Sequence, residues 1–372
     1  MGLIKQIATP DRNCKSCTGL SFPFCVMALS ALFFSPHLIF AKTPSPSLLF
    51  HKPHHLSLRC SSSSTVAPSS SFDLRVYWET LRSEINSELS AALPLRYPAR
   101  IHEAMRHSVL SGAAKRASPV MCVAACELVG GHRSAAFPTA TALEMCHAAS
   151  LVHDDLPCMD SADLRRGRPS TQALFGVDLA ILGGDALFPL SFAHVVDRTP
   201  PSLVPSDTLL RVLNEIARAV GSTGMAAGQY LDLSGSAAGG EAEVLLVMEK
   251  KFGEMAECSA VCGGLLGGAG EEESEALRRY GRAVGVLYQL VDDVLMESNG
   301  GAGKMRSNAS VVRAVGMERA LELVEELREK AKKELEKFSE YGDGVLPLYG
   351  FVDYAVERGF VVGADGAAGL EE

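Results

Sequence analysis

Apolar residues recur at helical spacing in one segment after another from residue 73 onward. The first such segment contains Val76, Leu81, Ile85, Leu89 and Leu93 and ends before Pro94, which cannot continue a helix interior. The same spacing predicts further helices at about 97–107, 119–131, 137–160, 177–190, 209–221, 225–233, 243–264, 274–297 and 317–338. No segment alternates apolar and polar residues over the length of a strand. The pattern therefore predicts an all-α bundle of about ten helices.

Residues 1–72 differ from the rest of the chain. They contain one acidic residue, Asp11, against six lysines and arginines, and they end in serine-rich runs at 61–64 and 69–71. This composition is typical of an organelle transit peptide. The apolar stretch 20–41 could also form a membrane anchor, but Pro23 and Pro36 interrupt it. We predict a disordered organelle transit peptide over 1–72, a helical domain over 73–372, and no stable membrane span; Met27 is a second plausible start.

The charge balance excludes one large class of partners. The formal net charge is −9, and no run of lysine and arginine is interleaved with aromatic residues. A nucleic-acid partner would require a basic surface that releases phosphate counterions. We therefore expect no nucleic acid to bind.

Two cysteine pairs stand at the same spacing. Cys122 and Cys126, like Cys258 and Cys262, are four residues apart, so each pair lies on one face of a helix. Zinc binding would require the two pairs to converge and lose their protons. The alternative is that these small apolar residues pack at a close helix contact, and we favour that interpretation.

The segment 153–168 concentrates both signs of charge. Asp154, Asp155 and Asp160 stand together and are followed by Arg165 and Arg166, within an otherwise apolar stretch. Mg²⁺ prefers carboxylates together with phosphate oxygens, and arginine forks match phosphate geometry. The segment therefore predicts divalent cations on the aspartates and a diphosphate that bridges them to the arginines.

A second aspartate pair, Asp292 and Asp293, lies about 138 residues after the first, late in another long apolar helix. In a helical bundle the two pairs can face each other across an apolar cavity. Such a cavity would suit a hydrocarbon chain with a diphosphate head. Metal ions at both ends would stabilise the departing diphosphate electrostatically.

These motifs resemble the trans-prenyltransferases, also called polyprenyl synthases, and specifically the plant geranylgeranyl diphosphate synthases. The similarity runs from about Phe72 to Arg358, and its motifs fall in the order and spacing of that family: 101–106, 153–160, 165–167, 184–187, 228–229 and 288–293. The resemblance implies an all-α, isoprenoid-synthase type helical bundle with a central cavity, usually dimeric. It also implies Mg²⁺-dependent ionisation of an allylic diphosphate, which isopentenyl diphosphate then attacks.

The resemblance assigns a role to each matching position. The metal ligands would be Asp154 and Asp160 with help from Asp155, and Asp292 with Asp293 at the other end. The allylic diphosphate would contact Arg165, Lys251 and Gln289. Isopentenyl diphosphate would contact Lys115, His147 and Arg166.

Several positions depart from the family pattern. Ser118 replaces an arginine that holds isopentenyl diphosphate, and a lost charge-assisted hydrogen bond costs roughly 1.5 to 3 kcal/mol. Met296 replaces the third aspartate of the second motif, Phe252 replaces a threonine, and Ala162 replaces an acidic residue. The segment 303–308 also lacks an expected aspartate and lysine and is shorter than in the family.

This combination resembles the small, recruiting subunit of a heterodimeric plastid geranyl(geranyl) diphosphate synthase. The resemblance implies that residues 1–72 are a chloroplast transit peptide and that residues 73–372 act in the plastid stroma. Such a chain would have little turnover alone and would raise activity, or shift the product toward geranyl diphosphate, when bound to a catalytic large subunit. The resemblance implicates Cys122, Cys126, Cys258 and Cys262 in that pairing.

Two other enzyme classes stay open on the residues. The intact first motif is compatible with a self-sufficient homodimeric geranylgeranyl diphosphate synthase, and small Ala149 would not block a long product. A terpene cyclase also ionises a diphosphate, but Lys115 and Arg166 point to a second diphosphate substrate.

Overall fold

The computed structural model describes residues 72–235, 239–298, 309–358 and 362, and the predicted transit peptide lies outside these residues. Almost every described segment is helical, so the predicted all-α class is confirmed. The helices in these ranges are α1 (Leu74–Ala92), α2 (Ala99–Val109), α3 (Ala117–Leu128), α4 (Arg133–Asp154), α5 (Thr171–Phe175), α6 (Val177–Arg198), α7 (Ser206–Val220), α8 (Met225–Leu233), α9 (Glu241–Met248), α10 (Glu254–Gly267), α11 (Glu271–Ser298), α12 (Val311–Val315), α13 (Met317–Leu335) and α14 (Leu346–Glu357). A π-helical turn (Glu249–Gly253) joins α9 to α10, and a 3₁₀ segment (Glu336–Val345) joins α13 to α14.

The first helix follows directly from the sequence pattern. Asp73 caps α1, since its side chain accepts hydrogen bonds from the backbone nitrogens of Arg75 (2.9 Å) and Val76 (3.2 Å). The periodic residues Leu81, Ile85 and Leu89 of this helix are fully buried. Val76, the first residue of the predicted stripe, is 62% exposed, and Trp78 is buried near it. The apolar period therefore predicted the helix and its buried face from Leu81 onward.

Helix α10 lies at the centre of the bundle and packs against α3, α4 and α11. Helix α3 also packs against α4, α6 packs against α4, and α13 packs against α11. Glycines permit the closest approaches. A Cβ atom on Gly263 would lie 2.1 Å from the carbonyl oxygen of Cys122, and one on Gly285 would lie 2.8 Å from that of Phe252. These contacts fix α10 against α3 and the π-helical turn against α11.

The boundaries of the first-motif helix differ from the predicted range 137–160. The helix begins at Arg133, where the His132 side chain accepts a hydrogen bond from the Ser134 backbone nitrogen, and it ends at Asp154. The chain then turns into a two-stranded antiparallel hairpin, β1 (Leu164–Arg165) and β2 (Arg168–Pro169). The first aspartate motif thus occupies a helix end and the loop after it.

One helix is a candidate for a membrane span by length and composition. Among the described residues, only α6 passes that test, with a mean hydropathy of 1.6 over a window of which 39% is buried. A core helix of a soluble protein passes the same test, so one such helix is weak evidence for a span. Its exposed side chains instead form a stripe that contains Leu182, Pro189, Ala193 and Val196.

Candidate functional site

Asp154 is the most deeply buried acid of the first motif. It is the last residue of α4 and is 0% exposed. Within the ranges that the structure describes, neither carboxylate oxygen has a hydrogen-bond partner. Burial raises the pKa of Asp154 to about 8, the positive charge of Lys251 opposes that shift, and Asp160 adds to it. A buried carboxylate without donors is the arrangement that a hard cation would satisfy.

Asp155, the next residue, is already paired. Arg165 of the hairpin donates from Nε to both carboxylate oxygens of Asp155, at 3.0 and 3.1 Å, and from Nη2 to Oδ1. Such a fork-to-carboxylate pair is strong and geometrically specific. Asp155 therefore fixes the position of Arg165.

Lys251 enters the site from the π-helical turn. Its side chain is fully buried, and its Nζ lies 2.5 Å from Oδ2 of Asp232 on α8. The other oxygen of Asp232 accepts a hydrogen bond from the backbone nitrogen of Ala309 at 3.1 Å. A Cβ atom on Gly228 would lie 2.6 Å from the backbone nitrogen of Lys251, so a glycine is needed where α8 approaches the π-helical turn. π-helical turns are frequent at functional sites.

Asp160 lies in the loop after α4. Burial raises its pKa, and the charges of Lys251 and Arg165 oppose that shift. Lys251 acts electrostatically on both Asp154 and Asp160. The structure therefore brings two of the three predicted first-motif ligands next to the predicted allylic-site lysine.

The two acids of the second motif face different partners. Oδ2 of Asp293 accepts hydrogen bonds from Ser310 Oγ and from the Val312 backbone nitrogen, both at 3.1 Å. Oδ1 of Asp292 accepts one from Nη2 of Arg358 at 2.7 Å. Among the described residues, no group of three or more His, Cys, Asp or Glu is arranged to hold a metal ion. Protein donors thus hold Asp292 and Oδ2 of Asp293, whereas Oδ1 of Asp293 is buried without a hydrogen-bond partner among the described residues.

Lys115 belongs to this second cluster. Its Nζ donates to the hydroxyl of Tyr288 at 3.0 Å, and the Arg358 guanidinium lies 3.4 Å from the centre of the Tyr288 ring. Burial lowers the pKa of Lys115 to about 8, while Asp292 opposes the shift and Arg358 adds to it.

The remaining predicted isopentenyl-site residues gather around a buried acid. Glu144 of α4 forms a buried ion pair with Arg116, and its Oε1 lies 4.0 Å from Nη2 of Arg166. Burial lowers the pKa of His147 to about 4, although Glu144 opposes that shift. His147 is therefore neutral at physiological pH and can donate one hydrogen bond and accept another.

Both cysteine pairs are buried inside the chain. Cys122, Cys126, Cys258 and Cys262 are each 0% exposed and lie where α3 packs on α10. The Sγ atoms of Cys258 and Cys262 are 3.7 Å apart. Burial raises the pKa of the Cys126 thiol to about 12, so the thiol keeps its proton. Protonated thiols at a close helix contact match the packing alternative, and any effect on a partner would pass through the helices.

Several site residues received no role from the sequence. Asp232, Tyr288, Arg358 and Glu144 each pair with a residue of the predicted set. For Asp232 and Glu144, the sequence offered one signal, which is a carboxylate inside an apolar helical segment. Gln289 is half-buried on α11, and Ser118 is buried in the first turn of α3.

Comparisons with known proteins agree with this geometry. The polyprenyl synthetase family model matches residues 98–304. The chloroplastic small subunit of heterodimeric geranylgeranyl pyrophosphate synthase from Arabidopsis thaliana is 59% identical over 324 residues, which cover 84% of this chain and 94% of that protein. The chloroplastic large subunit 1 from the same plant is 40% identical over 301 residues, which cover 78% of this chain and 80% of that protein. The crystal structure of an FPP/GFPP synthase from Zymomonas mobilis, 28% identical, has a TM-score of 0.68 and covers 76% of this chain and 98% of its own.

These findings confirm the predicted isoprenoid-synthase fold and the predicted chloroplast location, since both plant relatives are chloroplastic. The family model and the relative that is 59% identical each extend over more than half of the chain. The chain belongs to the polyprenyl synthetase family and is a prenyltransferase chain.

Proposed function

We propose that this chain is the small subunit of a heterodimeric plastid geranyl(geranyl) diphosphate synthase. The observation that carries the proposal is the 59% identity to a small subunit of that kind, over 94% of its length. The chain would have little turnover alone. It would raise the activity of a catalytic large subunit or shift its product toward geranyl diphosphate.

The state of the second motif supports a modulatory role. Asp292 is held by Arg358, Asp293 by Ser310 and Val312, and Met296 occupies the position one turn beyond Asp292. Metal binding at this end would have to break those contacts without a third carboxylate to help. The first motif is better suited to a metal ion, because both carboxylate oxygens of Asp154 lack a donor among the described residues, whereas in Asp293 only Oδ1 lacks one.

Different residues of this chain would bind the metal ion and each of the two substrates. Asp154 and Asp160 would hold Mg²⁺, which when bound neutralises the diphosphate and makes it a better leaving group. Lys251, Arg165 and Gln289 would orient the allylic diphosphate. Lys115, Arg166 and neutral His147 would donate to isopentenyl diphosphate.

The exposed stripe of α6 is the surface that best suits a large subunit. Leu182 is 51% exposed and Val196 is 52% exposed, on a helix whose mean hydropathy reaches 1.6. Contiguous exposed apolar residues mark protein interaction surfaces. A related synthase chain is the proposed occupant, because the relative at 59% identity is named as one half of a heterodimer.

The four cysteines would assist that pairing indirectly. Their side chains set the distance between α3 and α10, where Gly263 lies against Cys122. Larger or more polar groups there would separate the two helices and displace the surfaces beside them.

The test is product analysis with isopentenyl and dimethylallyl diphosphates and Mg²⁺. The mature chain from residue 73 is assayed alone and mixed with a catalytic plastid geranylgeranyl diphosphate synthase. We expect little product alone and a raised or shortened product in the mixture. Ordinary geranylgeranyl diphosphate synthesis by the chain alone would favour the alternative, a self-sufficient synthase, which the donor-free Asp154 supports.

Paired variants test the proposed docking surface. Leu182→Glu and Val196→Glu place charges on the α6 stripe, whereas Leu321→Glu places one on α13 at a residue that is 49% exposed. The α6 variants should lose the stimulation, because a buried unpaired charge weakens an interface strongly. The α13 variant should keep it. Equal loss in all three variants would argue against α6 as the contact.

A further inference from the structure

His153, the residue before Asp154, is buried against α6. It is 0% exposed, and its Nε2 lies 3.3 Å from the Ile181 carbonyl oxygen. A carbonyl oxygen only accepts hydrogen bonds, so Nε2 carries the proton and donates it. The same nitrogen lies 3.8 Å from Oδ1 of Asp185. His153 therefore joins the end of α4 to the first half of α6.

Gly184 of α6 leaves the space that the imidazole occupies. A Cβ atom on Gly184 would lie 2.1 Å from Nε2 of His153 and 2.6 and 2.7 Å from two of its ring carbons, which is too close for a side chain. The neighbouring Gly183 is also buried, but a Cβ atom there would come no closer than 3.8 Å to Ala104. The histidine therefore requires one glycine of this pair and not the other.

The loop that contains the first predicted metal ligands, residues 154–160, rests on the same part of α6. Val152 and Leu156, on either side of the first aspartates, form a small buried apolar cluster with Ala180 of α6. The Asp160 backbone nitrogen donates to the Asp154 carbonyl oxygen at 2.9 Å, which closes the loop. The two aspartates are thus held in one loop whose base is α6.

The other face of this helix is the exposed stripe that would receive a large subunit. The α6 residues that face His153 recur at helical spacing: Ile181, Gly184, Asp185 and Phe188. Leu182 of the stripe follows Ile181 directly and is 51% exposed. One turn of α6 therefore presents an apolar side chain to a partner and a carbonyl oxygen to His153. Because close-packed helices shift as units, a displacement of α6 would reach the loop.

We propose that His153 is a positioning residue that couples the partner-binding face of α6 to the loop 154–160. His153 would hold this loop in the arrangement that binds the metal ion, without touching the metal or a substrate. A large subunit that docks on α6 would then tighten metal binding at Asp154 and Asp160, and the metal would tighten docking by the same factor. The coupling rests on the proposed function, whereas the positioning role rests on this chain alone.

Mn²⁺ binding to the chain alone, followed by electron paramagnetic resonance, tests the positioning role. Asp154→Asn identifies the Mn²⁺ that is bound at the first motif. Gly184→Ala should weaken that binding about three- to tenfold, as the loss of one hydrogen bond predicts, because the new methyl group displaces the imidazole. Gly183→Ala is the matched control and should bind Mn²⁺ like the wild type.

Two variants of the histidine keep the test decisive if Gly184→Ala does not fold. His153→Gln retains a side-chain N–H that can reach the Ile181 carbonyl oxygen, and it should keep most of the Mn²⁺ affinity. His153→Leu has a similar volume but no donor, and it should lose about three- to tenfold. Equal Mn²⁺ affinities in the Gln and Leu variants, or in the two glycine variants, would overturn the proposal.

The coupling is measured with a large subunit whose own aspartate motifs are changed to asparagine, so that it contributes no Mn²⁺ site. Its addition should tighten Mn²⁺ binding about fivefold or more in the wild type and in Gly183→Ala, and should leave Gly184→Ala unchanged. A partner that binds without altering the Mn²⁺ affinity of the wild type would overturn the coupling. If Leu182→Glu left partner binding intact, α6 would be overturned as the docking face, and the coupling with it, but the positioning result on the chain alone would stand.

Discussion

Arg358, just after the last described helix, donates a 2.7 Å hydrogen bond to Asp292 of the second aspartate motif. The same guanidinium group donates to the Tyr288 carbonyl oxygen at 2.9 Å and stacks on the Tyr288 ring. The Arg358 and Asp292 side chains are 16% and 15% exposed. The Arg358 guanidinium therefore contacts the carboxylate to which the family resemblance gives the role of a metal ligand.

Replacing Arg358 should make Asp292 more available to a metal ion. A hydrogen bond to a charged group contributes roughly 1.5 to 3 kcal/mol, and partial exposure reduces that value. We expect Arg358→Gln to lower the dissociation constant for Mn²⁺, used as a reporter of Mg²⁺ sites, about three- to tenfold. The measurement is the free Mn²⁺ signal in electron paramagnetic resonance, which does not depend on turnover.

Arg328→Gln is the matched control for that experiment. Arg328 lies on α13, with Nη2 3.6 Å from Asp353 and 4.0 Å from Glu357, so its removal changes the charge beside α14 equally. An identical Mn²⁺ affinity in both variants would show that net charge, and not the Asp292 contact, sets the affinity.

Met296→Asp should strengthen metal binding at the same end of the site. Met296 is half-buried on α11 one turn beyond Asp292, so a carboxylate there would lie on the same helix face. We expect at least about threefold tighter Mn²⁺ binding, because Mg²⁺-type sites gain from each added carboxylate. Met296→Asn, which is neutral, should bind like the wild type. Equal gains in both would point to a loss of bulk as the cause.

The sequence was most informative where a residue's role depends on its near neighbours. The apolar period of Leu81, Ile85 and Leu89 predicted α1 and its buried face, which the structure confirms. The spacing of Cys258 and Cys262 likewise predicted one helix face. Residues close together in the sequence are sufficient to predict these features, because helix periodicity is a local property.

The sequence did not predict contacts between distant segments. Asp292 and Arg358 are 66 residues apart, and nothing in the local pattern links them. The hairpin was also missed, because two-residue strands are too short to show alternation. The segment 303–308, where departures from the family were predicted, lies outside the described residues.

The buried neutral His147 should make stability depend on pH. Its pKa falls from an ordinary 6.5 to about 4 in the folded chain because of burial, so the unfolded chain binds a proton first as the pH falls. Stability is then lost between pH 6.5 and about 4, by up to about 3 kcal/mol, since each pKa unit corresponds to about 1.4 kcal/mol.

Urea unfolding at pH 7 and pH 5 measures this effect. The wild type should lose more unfolding free energy between the two values than His147→Gln, which cannot take up the proton. Parallel losses in the two proteins would mean that other groups, such as the aspartates, carry the pH dependence.

The buried cysteines should be chemically silent in the native chain. Six cysteines fall within the described residues, and of these only Cys158 is exposed. Burial raises the pKa of the Cys126 and Cys146 thiols to about 12, and the thiolate is the reactive form. Ellman's reagent should therefore titrate one thiol of the mature chain quickly, and the other five only as the chain unfolds. Cys158→Ser should remove the fast phase and leave partner stimulation unchanged. Two or more fast thiols in the wild type would show that the α3–α10 contact opens in solution. The cysteine pairs would then be able to contact a partner chain directly.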